Sequence, residues 1–247
     1  MRALTATEVL GIWERGMGQP SPQRAITLLG PVCAESPERL AQLPIGRRDC
    51  RLLALREHTF GPQVTSLCEC PECRERIEFE FDVADVRGDS ETELAEIADA
   101  ITVRHDGFEV TCRLPNTADL VAVRDAGDAH RARQQLFESC LLSARNQSGD
   151  QIPSSALPEE LSASVAARMA EADPQGEVEL AVICPHCDHR WTPLFDIAGF
   201  FWIEVEAYAQ RLLREVHELA SNYGWREADI LHLSAARRQA YLELIRA

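Results

Sequence analysis

The chain carries two copies of one short hook, Cys70-Pro71-Glu72-Cys73 and Cys184-Pro185-His186-Cys187, separated by residues 74 to 183. A Cys-x-x-Cys turn at a hairpin tip offers two sulfurs from a few residues of backbone, and Zn²⁺ wants four tetrahedral thiolate or imidazole ligands. Two hooks complete one closed site. The spacing therefore predicts a zinc ribbon holding one structural zinc per chain on Cys70, Cys73, Cys184 and Cys187, with a domain inserted between its halves. Two unrelated thiol pairs are the alternative. A redox pair fits poorly, because that motif opens a helix, whereas Cys73 leads into Arg76-Ile77-Glu78-Phe79-Glu80-Phe81, apolar at every second residue. The other five cysteines, Cys33, Cys50, Cys68, Cys112 and Cys140, read as small buried apolar side chains. Cys68, His186 and His189 are reserve ligands.

Composition narrows the function classes. With 45% apolar and 26% charged residues the chain is globular, and its longest apolar candidate, Ile197 to Ile203, is far short of the ~20 residues that span a bilayer. Met1 to Glu8 lacks the apolar stretch of a signal peptide, so a reducing cytoplasm is expected, where thiolates bind metal. A zinc ribbon often meets nucleic acid, but 40 acidic residues against 25 basic give a net charge of -15 that would repel phosphates. A basic protein partner suits that surface better.

Along the chain, Thr5 with Glu8 forms a capping box, and Ser21-Pro22 places a cap before a first-turn proline. They predict a first helix ended by Gly16 and Gly18 and a second reaching about Val32. A third helix runs from Gly46 to near Gly61. Strands are expected at Val64–Cys70 and Glu75–Val83 around the first hook, and at Val178–Ile183 and Trp191–Phe195 around the second. Between the hooks come a helix at Glu91–Ala100, a hairpin turning at Asp106-Gly107, a helix from Ala118 capped by Asn116-Thr117, and helices over His130–Leu142 and Pro158–Ala172. Asp196 then caps a long helix to about Asn222, followed by Glu227–Leu231 and a last helix capped by Ser234.

The expected fold class is α+β, mainly helical. The expected divisions are residues 1–61, an N-terminal helical module; 62–83 and 177–195, the ribbon halves; 84–176, a mostly helical insertion with a β-hairpin; and 196–247, the C-terminal helices. On the long helix, Phe201, Val205, Tyr208, Leu212, Val216 and Leu219 recur at intervals of three and four. Phe200, Trp202 and Leu213 widen that stripe, which is core or a partner surface.

No catalytic site emerges. There is no phosphate-cradling glycine loop, no hydrolase or metalloprotease spacing around the seven histidines, and four thiolates leave zinc no open position. The basic pairs Arg47-Arg48 and Arg237-Arg238 read as solvated helix ends, with carboxylate contacts to a partner as the lesser reading.

The ordered segments Leu43 to Asp49, Phe60-Gly61-Pro62, both hooks, Leu114 to Leu120, Cys184 to Trp191, Leu213 to His217 and Tyr223 to Leu231 resemble the baseplate hub assembly chaperone family of T-even type, found with contractile phage tails and phage-like contractile injection systems. The resemblance implies a non-enzymatic factor whose partners are baseplate hub or spike proteins. Its surface is then expected to include Phe200, Trp202, Tyr208, Trp225 and Tyr241. A structural baseplate subunit retained in the particle is the competing reading, and a zinc-ribbon nucleic-acid-binding or regulatory protein a more distant one.

Overall fold

The computed structural model describes residues 1–87 and 100–246; the helix expected at Glu91–Ala100 lies almost wholly outside them. The described residues are mainly helical, with three small antiparallel sheets among them.

Four helices lead. In α1 (Ala6–Gly16), Thr5 and Glu8 form the anticipated box, satisfying two N–H groups that the first turn leaves without partners. Helix α2 (Ser21–Leu29) takes Pro20, not Ser21, as its cap and stops at Gly30, short of Val32. A short α3 (Pro37–Ala41), capped by Ser36, was not legible in the periodicity. Helix α4 (Ile45–Phe60) ends where Gly61 turns to a φ of 95°.

The first hook sits between β1 (Gln63–Glu69) and β2 (Arg76–Asp82), which pair from Gln63 opposite Asp82 to Glu69 opposite Arg76. A single turn, α5 (Val83–Val86), follows. Strands β3 (Ile101–His105) and β4 (Phe108–Cys112) turn through Asp106 and Gly107 at φ 47° and 79°, as an Asp-Gly hairpin requires. Helix α6 (Thr117–Val123) is boxed by Asn116 and Asp119, and α7 (Ala129–Cys140) by contrast ends early. Leu141–Arg145, expected to continue that helix in part, is β5, the third strand of the sheet. Pairing with β4 overrides the local preference there. Helix α8 (Glu159–Ala172) covers the sheet.

Around the second hook the strands shrink to β6 (Val182–Ile183) and β7 (Arg190–Trp191). Pro193 has no N–H to give the ladder, so pairing continues only as the Glu179–Leu194 bridge and two irregular bonds. Helix α9 (Ile197–Tyr223), capped by Asp196 and closed by a left-handed Gly224, is followed by α10 (Glu227–Leu231) and α11 (Ala235–Arg246).

The main core joins both ends of the chain. Val9 and Ile12 of α1, Leu28 of α2 and Leu52 of α4 pack with Phe201, Val205 and Leu212 of α9 and with Leu242 of α11. Val103, Val110, Ala144, Leu161 and Val165 form a separate cluster in the insertion. Cys70, Ile77 and Cys184 form a third, very small one.

One member of each basic pair departs from the expected solvated helix end, while Arg237 is exposed as expected. Arg48 and Arg238 are buried, not at solvated helix ends. Arg48 donates to Asp49 (2.7 Å) and Thr117 (3.1 Å), and Arg238 donates to Glu215 (2.8 Å) and the Leu233 carbonyl (2.7 Å). Each guanidinium is buried because carboxylate and neutral acceptors replace its water.

Candidate metal centre

The two hooks are built alike. Cys70 N–H donates to the Glu75 carbonyl (2.9 Å) and Arg74 N–H donates back to the Cys70 carbonyl (3.0 Å); Cys184 with His189 (2.8 Å) and Asp188 with Cys184 (2.9 Å) repeat the pattern. In each, the residue four beyond the first cysteine is left-handed, Arg74 at φ 63° and Asp188 at φ 58°. That turn curls the chain so that both sulfurs of a hook face the same way.

The tips meet. Cys70 Sγ lies 3.7 Å from Cys187 Sγ, and Cys73 Sγ lies 3.6 Å from Cys184 Sγ. All four sulfurs fall within 4.8 Å of one another. A disulfide would need about 2.0 Å, so these are not bonded pairs. Tetrahedral sulfurs around zinc, with Zn–S near 2.3 Å, stand about 3.8 Å apart, and the cluster fits that size. Cys68, His186 and His189 stand outside the group; His189 stacks on Trp191 at 5.9 Å instead.

The electrostatics also fit a cation. Desolvation works against the Cys70 thiolate, but the N–H groups of Cys73 and Glu72 and the neighbouring Cys73 and Cys187 thiols bring it down to about 7. Cys187 has the His189 N–H on the side of its thiolate, yet desolvation and the other three thiols push it up to about 12. Four negative sulfurs at this spacing repel one another until a divalent ion neutralises them. Cys70 and Cys184 are buried, Cys73 is half-buried and Cys187 exposed. A four-sulfur shell leaves no ligand position for substrate, which suits a structural ion.

The aromatic residues singled out for a partner surface are not brought together. Trp202 is 3% exposed, packed where Gly16 has no room for a Cβ, with Arg24 4.4 Å above its ring, so it belongs to the core. Phe200 is half-buried against Phe195 and beneath Arg56, and Tyr208 lies between Phe60 and Arg211. Trp225 and Tyr241 form a separate group with Tyr223, which the sequence reading had not singled out for the surface.

The profile of one protein family, described as T4 bacteriophage base plate protein, matches residues 22–202. The chain belongs to this family. The match takes in α2 to α8, both hooks and the first turns of α9. As a base plate protein it is expected to meet other base plate proteins, and no described helix is long and apolar enough to cross a membrane. Neither the curated proteins nor the solved structures searched contain a match.

Proposed function

We propose that this base plate protein is a non-enzymatic assembly chaperone for the baseplate hub of a contractile tail or contractile injection system, binding hub or spike proteins before they enter the particle. The observation that carries the reading is the closed four-cysteine cluster joining two distant hairpins. In that reading the cluster holds one structural Zn²⁺ as the centre of a zinc ribbon. The ribbon has little core of its own, since the cluster at its hooks buries only Cys70, Ile77 and Cys184 while Val64 and Val83 belong to the main core, so metal-binding free energy becomes folding free energy. The stapled ribbon holds the insertion at residues 84–176 against helices built from residues 1–61 and 196–247, giving a rigid acidic platform. With 40 acidic and 25 basic residues, that platform suits basic protein surfaces and disfavours nucleic acid. Such a factor works in the cytoplasm of the producing cell.

A structural subunit retained in the particle is the second reading, which the family description accommodates equally. Mass spectrometry of purified particles separates them. The chaperone reading expects the chain to be absent or strongly substoichiometric while co-purifying with hub proteins from lysate. Full stoichiometry in the particle supports the structural reading, and failure to capture any base plate protein counts against both.

A further inference from the structure

The aromatic side chains of α9 differ in one respect that matters for binding. Phe200, Trp202 and Tyr208 each already face an internal guanidinium, from Arg56 (5.8 Å), Arg24 (4.4 Å) and Arg211 (4.7 Å). The group at the far end of the helix has no such partner among the described residues. There Tyr223 stacks on Trp225 with centroids 4.7 Å apart and planes 17° apart, and Tyr241 meets both rings edge-on at 5.7 and 4.8 Å. Tyr223 is 37% exposed and is the most open of the three rings.

The backbone beneath it carries negative charge. Helix α9 has 27 residues, and its aligned peptide dipoles leave partial negative charge at the C-terminal carbonyls. Gly224 N–H closes on the Ala220 carbonyl, but no later N–H returns to the carbonyls of Ser221, Asn222 or Tyr223. No basic residue lies in the last turn to offset them. The nearby arginines are engaged elsewhere, Arg226 with Asp229 (3.4 Å) and Arg246 with Glu218 (2.9 Å). Exposed aromatic faces beside a negative helix end, on a chain of net charge -15, complement a cation.

We infer that the Tyr223–Trp225–Tyr241 cluster is a docking site for an arginine- or lysine-bearing segment of a protein partner, the cationic side chain seating on the Tyr223 face beside the last carbonyls of α9. This rests on the partner-binding reading above and names its surface. It moves that surface away from Phe200, Trp202 and Tyr208.

The test uses the full chain and a fluorescein-labelled Arg-Gly repeat peptide at physiological salt. Binding is expected, with no binding of an Asp-Gly repeat. Tyr223→Leu should weaken it roughly fivefold, the scale of a partly desolvated cation–π contact, and Tyr223→Phe should restore it. In spectra of the unaltered chain, the Trp225 indole N–H should shift on peptide addition while that of Trp202 stays still. Equal binding by folded Tyr223→Leu, or a Trp225 signal that does not move, would show that only bulk acidity attracts the peptide and would overturn the site. Pull-downs keep the two levels apart. If the unaltered chain captures base plate proteins and Tyr223→Leu captures them equally, the site is wrong and the functional reading stands. If the unaltered chain captures none, the functional reading fails, while peptide binding still judges the site.

Discussion

The N–H of Gly46, in the first turn of α4, donates to Asp173 Oδ2 at 2.8 Å across 127 residues of sequence. Pro44 has no side chain to cap this helix, and a carboxylate from the far end of the insertion does so instead. The contact leaves no space for a side chain at position 46, where a Cβ would lie 1.9 Å from Asp173 Oδ1 and 2.7 Å from the Gly176 nitrogen. With the Ile45 N–H bonded to the Pro115 carbonyl (3.1 Å) and Arg48 to Thr117, it fixes the insertion to the helical body through polar contacts, while the two apolar clusters stay separate.

Gly46→Ala should therefore cost about 2–4 kcal/mol, the range for an overpacked buried site that also loses a hydrogen bond. Urea unfolding with its midpoint compared between the two proteins measures this. A change of a few tenths of a kcal/mol would mean that the junction yields easily.

Asp173 gives the junction a pH dependence of known sign. Burial raises its carboxyl above the ordinary range, partly opposed by the Gly46 N–H and by Arg47 and Arg48. A folded pKa above the unfolded one means the native state holds more protons, so this group's contribution to stability grows as pH falls through the folded pKa and is lost as pH rises above it. Unfolding free energies measured from neutral pH down to about pH 4 should show a flatter fall with rising pH in Asp173→Asn than in the unaltered chain, since pH 4 lies near the unfolded carboxyl value. The neighbouring Asp49 is raised mainly by burial and least by Asp173 itself, so it keeps most of its own share in both proteins. Identical slopes would remove Asp173 from the account.

Arg56 ties α4 to α9, donating to both Glu204 oxygens (2.9 and 2.7 Å) and to the Gly61 carbonyl (2.8 Å). The guanidinium side chain is 4% exposed and Glu204 is 24% exposed. Arg56→Ala should cost about 3 kcal/mol and Glu204→Gln about 1 kcal/mol, because only the first opens a cavity and strips the Gly61 carbonyl of its donor. Thermal unfolding of the pair checks the order; equal losses would mean the charge pairing alone matters.

Much of this fold is legible in sequence where one local rule decides. The Thr5–Glu8 box, the Asp106-Gly107 turn, the alternation from Arg76 to Phe81 and the Asp196 cap each need only neighbouring residues. The pairing of the hooks is legible for another reason, since ligand chemistry demands four donors whatever the fold between them. What escaped is long-range. Leu141–Arg145 is a strand only because β4 accepts it, and Arg48 and Arg238 are buried only because Asp49, Thr117, Glu215 and the Leu233 carbonyl wait for them. Trp202 reads as surface or core by period, and Gly16 settles it as core. The Asp173 cap on α4 has no sequence signature.

The hooks should behave as one unit. Cys73→Ser and Cys187→Ser each remove one sulfur of the proposed shell from a different hairpin, with Cys73 Sγ 3.6 Å from Cys184 Sγ and Cys187 Sγ 3.7 Å from Cys70 Sγ. Each should lower metal occupancy and melting temperature to a similar extent. If one tolerated serine and the other did not, the hairpins would not share an ion.

The most direct measurement is native mass spectrometry of the purified full chain, before and after a strong chelator, alongside elemental analysis. One zinc per chain is expected, with at least four further thiols becoming titratable and much of the tertiary structure lost once the metal is withdrawn. A chain that carries no metal and keeps its fold with four free thiols would contradict the account.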